Sequence, residues 1–406
     1  MKKRLTEQTT LFISVIKWFF LASLIGIVVG LSTTLFLKTL EQSIVFITRY
    51  PYYFLLLPFV LFLVSWGAYY FYPKAQDYTT DKAIESINRT GQISFPSILK
   101  AFFLPVLTIA SGGSAGKEAP CADVGAGLGS ILGSILRFSD EDRKKLMICG
   151  VAAGFASVFG VPISGAIFGL EVLYVGKIFY DALFPSLVSG IVSYQVSSAF
   201  GIKYFYRPIN LAPIFSNVFF LKVVLAGVFF GLCSFLLVEI LKLSDWLSKK
   251  LHIWSPLKGI AGGLVLVFLT FIFSSQYLGL GLETIQACLE GGKIIWYAFL
   301  AKILFTSITL YFGGYGGIVT PIFFIGATSG VLFAEIFKLD IATFSAIGLV
   351  SLLAGATNTP IAASIMAVEL FGTKIAPYAA LACVVSFLMT GHRSVYPSQV
   401  LGIKKF

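Results

Sequence analysis

The chemistry in this chain concentrates on one glutamate. Glu118 lies in the run Ser111-Gly112-Gly113-Ser114-Ala115-Gly116-Lys117-Glu118-Ala119-Pro120, between long apolar stretches. Consecutive glycines release the backbone from helical geometry, and a proline suits the first turn of a helix restarting after them. The restarting helix offers free N–H groups and a positive dipole end, which attract an anion without any fixed cation. A carboxylate placed there is itself an anion and can occupy the site. Protonation neutralises it and releases the site. One residue can thus couple proton movement to anion movement. The alternative, a local pair with Lys117, is disfavoured because adjacent side chains on a regular backbone point apart.

A second break follows the same pattern. Gly313-Gly314-Tyr315-Gly316-Gly317-Ile318-Val319-Thr320-Pro321 aligns with the first at a constant offset of 201 residues. Gly112 pairs with Gly313, Gly113 with Gly314, Gly116 with Gly317, Pro120 with Pro321, Gly125 with Gly326 and Gly129 with Gly330. Val319 stands opposite Glu118, so only one break carries a titratable group, while Thr320 supplies a hydroxyl donor to a bound anion. A fainter echo pairs Ala153-Gly154 with Ala354-Gly355, Pro162 with Pro360 and Glu171 with Glu369. Pro162 and Pro360 are expected to open two further half-helices of the same anion-attracting kind. Glu171 and Glu369 are expected to be helix-end polar groups facing protein or water, and Asp123 an N-terminal partner of the half-helix near Pro120. Helix packing through small residues accounts for Gly125/Gly129 and Gly326/Gly330, but not for consecutive glycines followed by proline. Tyr396, just after the last apolar segment, suits either an interfacial anchor or a donor to an anion.

These groups sit in a chain that is almost all membrane sequence. Of 406 residues 57% are hydrophobic and 12% charged, with a mean hydropathy of +0.90. A soluble domain carries about 25% charge, so this composition excludes an ordinary cytosolic enzyme, a disordered chain and a nucleic-acid binder. At about 20 residues per crossing the length allows roughly 10 to 14 membrane segments. Lys2, Lys3 and Arg4 open the chain and Lys404 and Lys405 nearly close it, which places both termini on the cytoplasmic side. The net charge of +11 is read as orientation, not as a sign of a nucleic-acid partner. The five cysteines are scattered and the two histidines lie outside both breaks. That leaves neither a disulfide framework nor a metal centre, and an intramembrane serine or HExxH-type protease has no histidine where it needs one. The Asp140–Lys145 cluster reads as a solvated helix start with Ser139 as its cap. The offset divides the chain into an N-terminal half (1–200), a joint (201–216) and a C-terminal half (217–406). Repeated halves with interrupted helices put the substrate at their interface near the midplane.

Taken in order, these motifs resemble the CLC family of chloride channels and chloride/proton antiporters, over about residues 15 to 400. Gly116–Pro120 (GKEAP) is similar to the family's GREGP, and Gly316–Pro321 (GGIVTP) to its G-G-x-F-x-P segment. GVPISGAIFGLE at Gly160–Glu171 and TPIAASIMAVEL at Thr359–Leu370 match its proline-led repeats, and Tyr396 falls where the family keeps a central tyrosine. The resemblance implies an all-α polytopic membrane protein, built as an inverted repeat of tilted and broken helices. It also implies a homodimer with one anion pathway per subunit. No cofactor is expected and, as a departure from the family's pattern, no soluble regulatory domain is expected after Tyr396. Carried over, Glu118 is the external gate and proton carrier and Tyr396 an inner-gate hydroxyl, with the amides of Ile318 and Val319 coordinating the anion. The family's serine loop, GSGIP, is missing; the corresponding stretch is Ala75–Asp81, where Thr79 or Thr80 stands in for the serine hydroxyl. Val172 replaces the internal proton-transfer glutamate, Lys117 an arginine, Ala119 a glycine and Val319 a phenylalanine. Losing the serine loop and the internal glutamate while keeping Glu118 resembles the bacterial fluoride/proton antiporter branch. The expected activity is fluoride export across the cell membrane driven by proton entry. A chloride/proton antiporter or a passive chloride channel on the same fold is the alternative.

Overall fold

The computed structural model describes residues 2–71, 80–89, 91–204, 208, 217–402 and 405. The described chain is helical almost throughout. In the first half come α1 (Lys2–Ile47), α2 (Leu57–Phe71), α3 (Thr80–Asn88), α4 (Phe95–Ala110), α5 (Glu118–Ile135), α6 (Asp140–Phe159), α7 (Pro162–Glu171) and α8 (Tyr180–Ala199). In the second come α9 (Asn217–Lys250), α10 (Ser255–Phe273), α11 (Leu282–Leu289), α12 (Ala298–Tyr311), α13 (Val319–Phe337), α14 (Ile341–Thr357), α15 (Pro360–Phe371) and α16 (Ala376–Met389). Most of the joint, 201–216, falls outside the described residues.

Among the described residues, five helical stretches are long and apolar enough to cross a bilayer: Gln8–Ile47, Tyr53–Tyr70, Val218–Lys250, Ser255–Phe273 and Val319–Phe337. Others, such as α7 and α15, are too short to span alone and end inside the protein. Local sequence dictates these ends. Gly160 ends α6 in the left-handed region (φ 74°), and Asn358 ends α14 the same way (φ 58°). Glycine and asparagine are the residues that tolerate this conformation. Pro162 and Pro360 then occupy the first turn of α7 and α15. Ser139 caps α6 as its sequence suggested, its hydroxyl accepting from the Asp142 amide at 3.3 Å.

Small residues let the central helices touch backbone to backbone. A methyl group on Gly129 would run into the Leu146 carbonyl of α6, and one on Gly330 into the Phe344 carbonyl of α14. The packing role of these glycines therefore stands, and it brings α5 against α6 and α13 against α14. The inner helices α13 and α14 are buried along nearly their whole length.

After α16 the chain folds back onto the segment that follows α7 and onto the end of α14. A two-residue parallel ladder joins β1 (Tyr174–Val175) to β2 (Val400–Leu401). Gln399 donates to the carbonyls of Val172 and Thr357 at 2.8 and 2.7 Å. Lys405 donates to Asn358 Oδ1 at 2.6 Å and to the Phe387 carbonyl at 2.8 Å, and its backbone N–H donates to His392 Nε2. Burial holds the Lys405 ammonium down to about 7. The unfolded chain then carries the extra proton above that value and the folded chain does not, so stability should rise with pH from about 7 towards the ordinary lysine range. Thermal melts in detergent across this interval should show the rise in the wild type and a flatter profile in Lys405→Met; equal slopes would remove Lys405 as its source.

Candidate functional site

The two breaks meet face to face. Each opens on a glycine with strongly positive φ, Gly112 at 101° and Gly313 at 103°, where any side chain would be strained. Gly116 and Gly317 then form an antiparallel bridge, each N–H donating to the other's carbonyl at 2.7 Å. A second crossed pair flanks it: Ser114 N–H donates to Thr309 Oγ1, and Tyr315 N–H to Thr108 Oγ1, both at 3.0 Å. The two donors and the two acceptors each stand 201 residues apart. Each break is thus braced by a threonine of the helix leading into the other break. Buried amides that leave a helix need such partners, and four of them find these here.

Glu118 is the first residue of α5 and only 2% exposed. Its carboxylate crosses the bridge to the other break. Oε1 accepts the Val319 N–H at 2.6 Å and Oε2 accepts the Thr320 hydroxyl at 2.7 Å. Both distances are those of charge-assisted bonds, worth roughly 1.5–3 kcal/mol each. The carboxylate sits at the N-terminus of α13, where the helix dipole favours a negative charge. It is paired with the opposite half, not with Lys117. Ile318, the residue before α13, is buried beside it.

Tyr396 lies between α16 and β2, buried, with its backbone N–H on Ser394 Oγ. Its phenol is within electrostatic reach of Glu118, Asp123 and Asp81, which favours the interior reading over an interfacial anchor. Thr79 lies outside the described residues, and Thr80 is placed only as the first residue of α3. Asp123 is buried on α5 past its first turn.

The second pair of prolines needs correction. α7 and α15 do start at Pro162 and Pro360, but their N-termini are filled from within the protein. Glu369, near the end of α15, accepts the Ile163 and Ser164 amides at 2.9 and 2.8 Å. Glu171, at the end of α7, accepts the Ile361 and Ala362 amides at 3.1 and 2.8 Å. Each glutamate caps the other helix, so these termini hold protein carboxylates, and Glu171 and Glu369 face protein amides.

Three groups near the site were not read from sequence. Asp81, in the first turn of α3, accepts from the Ser398 amide and hydroxyl at 2.6 and 2.8 Å, tying α3 to the segment that carries Tyr396. Lys100 on α4 is fully buried with its ammonium 4.7 Å from the centre of the Tyr315 ring. Lys302 on α12 is buried as completely. Both lysines interrupt apolar helix sequence (SILKAFF and FLAKILF), a visible signal, since a charge within membrane sequence is costly.

Comparison with known proteins gives a consistent picture. Residues 60–391 match the family model described as voltage gated chloride channel. A chloride/fluoride channel protein of Pseudomonas syringae pv. tomato is 36% identical over 415 aligned residues, covering 100% of this chain and 91% of that one. The crystal structure of a CLC-type fluoride/proton antiporter superposes with a TM-score of 0.92 at 28% identity, covering 96% of this chain and 99% of the other. A slow cyanobacterial Cl⁻/H⁺ antiporter shares the fold, with a TM-score of 0.80 at 16% identity over 92% and 94% of the two chains.

Proposed function

We propose that this chain, which belongs to the voltage-gated chloride channel (CLC) family, exports fluoride in exchange for protons, with Glu118 as gate and proton carrier. Members of this family move ions and are not enzymes. The observation that carries the reading is the seat of the Glu118 carboxylate. A negative group already occupies the donors that an anion would use, the Val319 amide and the Thr320 hydroxyl. Protonation removes its charge, weakens both bonds and yields the place to the substrate. Two ligands that compete for one site are coupled by that competition.

Fluoride is supported by the donor chemistry and by the relatives. A small, strongly hydrated anion needs short, strong donors to replace its water, and Thr320, Tyr396 and the amides of Ile318 and Val319 are of that kind. One structural neighbour is described as a fluoride/proton antiporter and one relative as a chloride/fluoride channel. Thr79 and Thr80 are proposed as further hydroxyls at the inner end of the pathway. On this reading the protein works in the cell membrane as a homodimer, the family's usual assembly, with both basic ends cytoplasmic and the halves 1–200 and 217–406 as its two repeats.

The rival is chloride exchange or passive chloride flow on the same fold, favoured by the names of a cyanobacterial Cl⁻/H⁺ antiporter and of a Shigella flexneri ClC-type chloride channel. Proteoliposomes loaded with fluoride or chloride, with and without a pH gradient, separate the readings. Uphill fluoride movement driven by protons is expected. Chloride flux that ignores the gradient, with no coupled fluoride flux, would overturn the proposal.

A further inference from the structure

Lys302 has no role in the mechanism above, yet it places a charge inside the apolar core. It is fully buried in an apolar helix, and no carboxylate among the described residues pairs with it. A buried, unpaired cation is destabilising by several kcal/mol unless backbone dipoles replace its water. Here two carbonyls and a ring do so. Nζ donates to the Tyr277 carbonyl at 3.0 Å and to the Gly279 carbonyl at 2.8 Å, and lies 5.0 Å from the centre of the Phe324 ring.

Those two carbonyls belong to the bend between α10 and α11, a single 3₁₀ turn at Ser275–Tyr277 followed by left-handed Gly279 (φ 53°) and Gly281 (φ 71°). The bend is docked on the first break. The Gly279 N–H donates to the Gly112 carbonyl at 3.0 Å. Leu278 fills the space beside Gly112. Gly112 is the residue whose positive φ opens that break, six residues before Glu118. The path from lysine to gate is therefore two hydrogen-bonded steps followed by six residues of chain. It runs from Lys302 to the 277–279 carbonyls, from Gly279 to Gly112, and along the break to Glu118.

We propose that Lys302 is a positioning residue for the gate: by gripping the Tyr277 and Gly279 carbonyls it holds the bend on Gly112 and fixes the first break so that Glu118 reaches Val319 and Thr320. The proposal rests on reading Glu118 as the gate. It explains why a charge stands where an apolar residue would pack with less cost. Two carbonyls pointing at one spot need a donor that can serve both, and no aliphatic side chain supplies one.

The test uses Lys302→Met and Gly281→Ala, each alone and combined with Glu118→Gln, in proteoliposomes. Gly281→Ala strains the same contact from the loop side: its methyl would lie 2.6 Å from the Phe324 ring and 3.5 Å from Lys302 Nζ. Both single variants should raise proton-independent anion leak about fivefold, the scale of coupling between residues in one network, and lower the proton-to-anion ratio. Neither should add to the leak of Glu118→Gln, because that variant has already lost the gate. A leak that adds fully to that of Glu118→Gln, or wild-type coupling in a folded Lys302→Met, overturns the proposal. If Lys302→Met does not fold, wild-type coupling in Gly281→Ala overturns it. A wild-type protein without proton-coupled fluoride flux would instead sink the functional reading, while the pattern of leak with and without Glu118 still tests Lys302 with whichever anion passes.

Discussion

Glu118→Gln should abolish proton-driven fluoride accumulation while fluoride still runs down its own gradient. Glutamine matches the shape of glutamate, and its amide oxygen can keep the Val319 N–H. Its nitrogen can donate to the Thr320 hydroxyl, which then acts as acceptor. The fold should survive, with a melting temperature within a few degrees of wild type. Two functions disappear. The side chain no longer titrates, so it carries no proton, and its bonds lose their charge assistance. Replacing charge-assisted bonds by neutral ones weakens the pair by roughly 2 kcal/mol, about 30-fold in the occupancy of the closed state. A fluoride electrode and a pH electrode reading the same liposomes should therefore record faster passive efflux and no proton influx stoichiometric with it. Retained uphill movement in this variant would remove Glu118 from its role and with it the proposed coupling.

The parts of the site that were legible in sequence are those fixed by local backbone chemistry. Gly112 and Gly313 announce a break because only glycine is at ease at φ near 100°. Pro120, Pro162, Pro321 and Pro360 announce helix starts because their fixed φ and missing N–H suit a first turn. A constant offset of 201 residues then pairs the breaks without any three-dimensional information. The Thr320 hydroxyl reads as an anion donor from its place in the break, and the Val319 amide only through the family resemblance; the structure gives both a partner in the Glu118 carboxylate.

What stayed hidden depends on contacts across the two halves. Nothing near Thr108 says that its hydroxyl serves Tyr315, 207 residues away. Nothing near Glu171 distinguishes a solvated helix end from a cap on α15, because helix N-termini attract anions wherever they point. The same rule that makes the α13 terminus attractive to an anion applies equally to α7 and α15. Only the position of Glu369 and Glu171 reveals that those two are closed by the protein itself. The arrangements differ in one respect: α7 and α15 cap each other reciprocally, whereas the carboxylate at the α13 terminus has no counterpart in the other break, where Val319 stands.

Gly317→Ala is expected to hold that carboxylate out of its seat without removing it. The backbone of Gly317 is not left-handed, so alanine brings no backbone strain. Its methyl would fall on the Glu118 carboxyl group, with the Ala119 nitrogen next at 3.0 Å. Backbone cannot yield there, but a carboxylate at the end of a flexible side chain can, so Glu118 should swing away from Val319 and Thr320. Losing both charge-assisted bonds costs about 3–6 kcal/mol of closed-state stability, enough to leave the gate open nearly all the time. Folding should be spared, since Gly116 and Gly317 bridge through backbone atoms alone. Proteoliposomes should show a large anion leak that no longer depends on pH, with a proton-to-anion ratio well below wild type. Glu118 remains titratable in this variant, so the result separates the seat of the carboxylate from its ability to carry a proton. Adding Glu118→Gln should change the leak little, because the two substitutions act on one closure. A folded Gly317→Ala protein with wild-type coupling would mean that transport does not require Glu118 to close against Val319 and Thr320, and the gate would have to be sought elsewhere along the pathway.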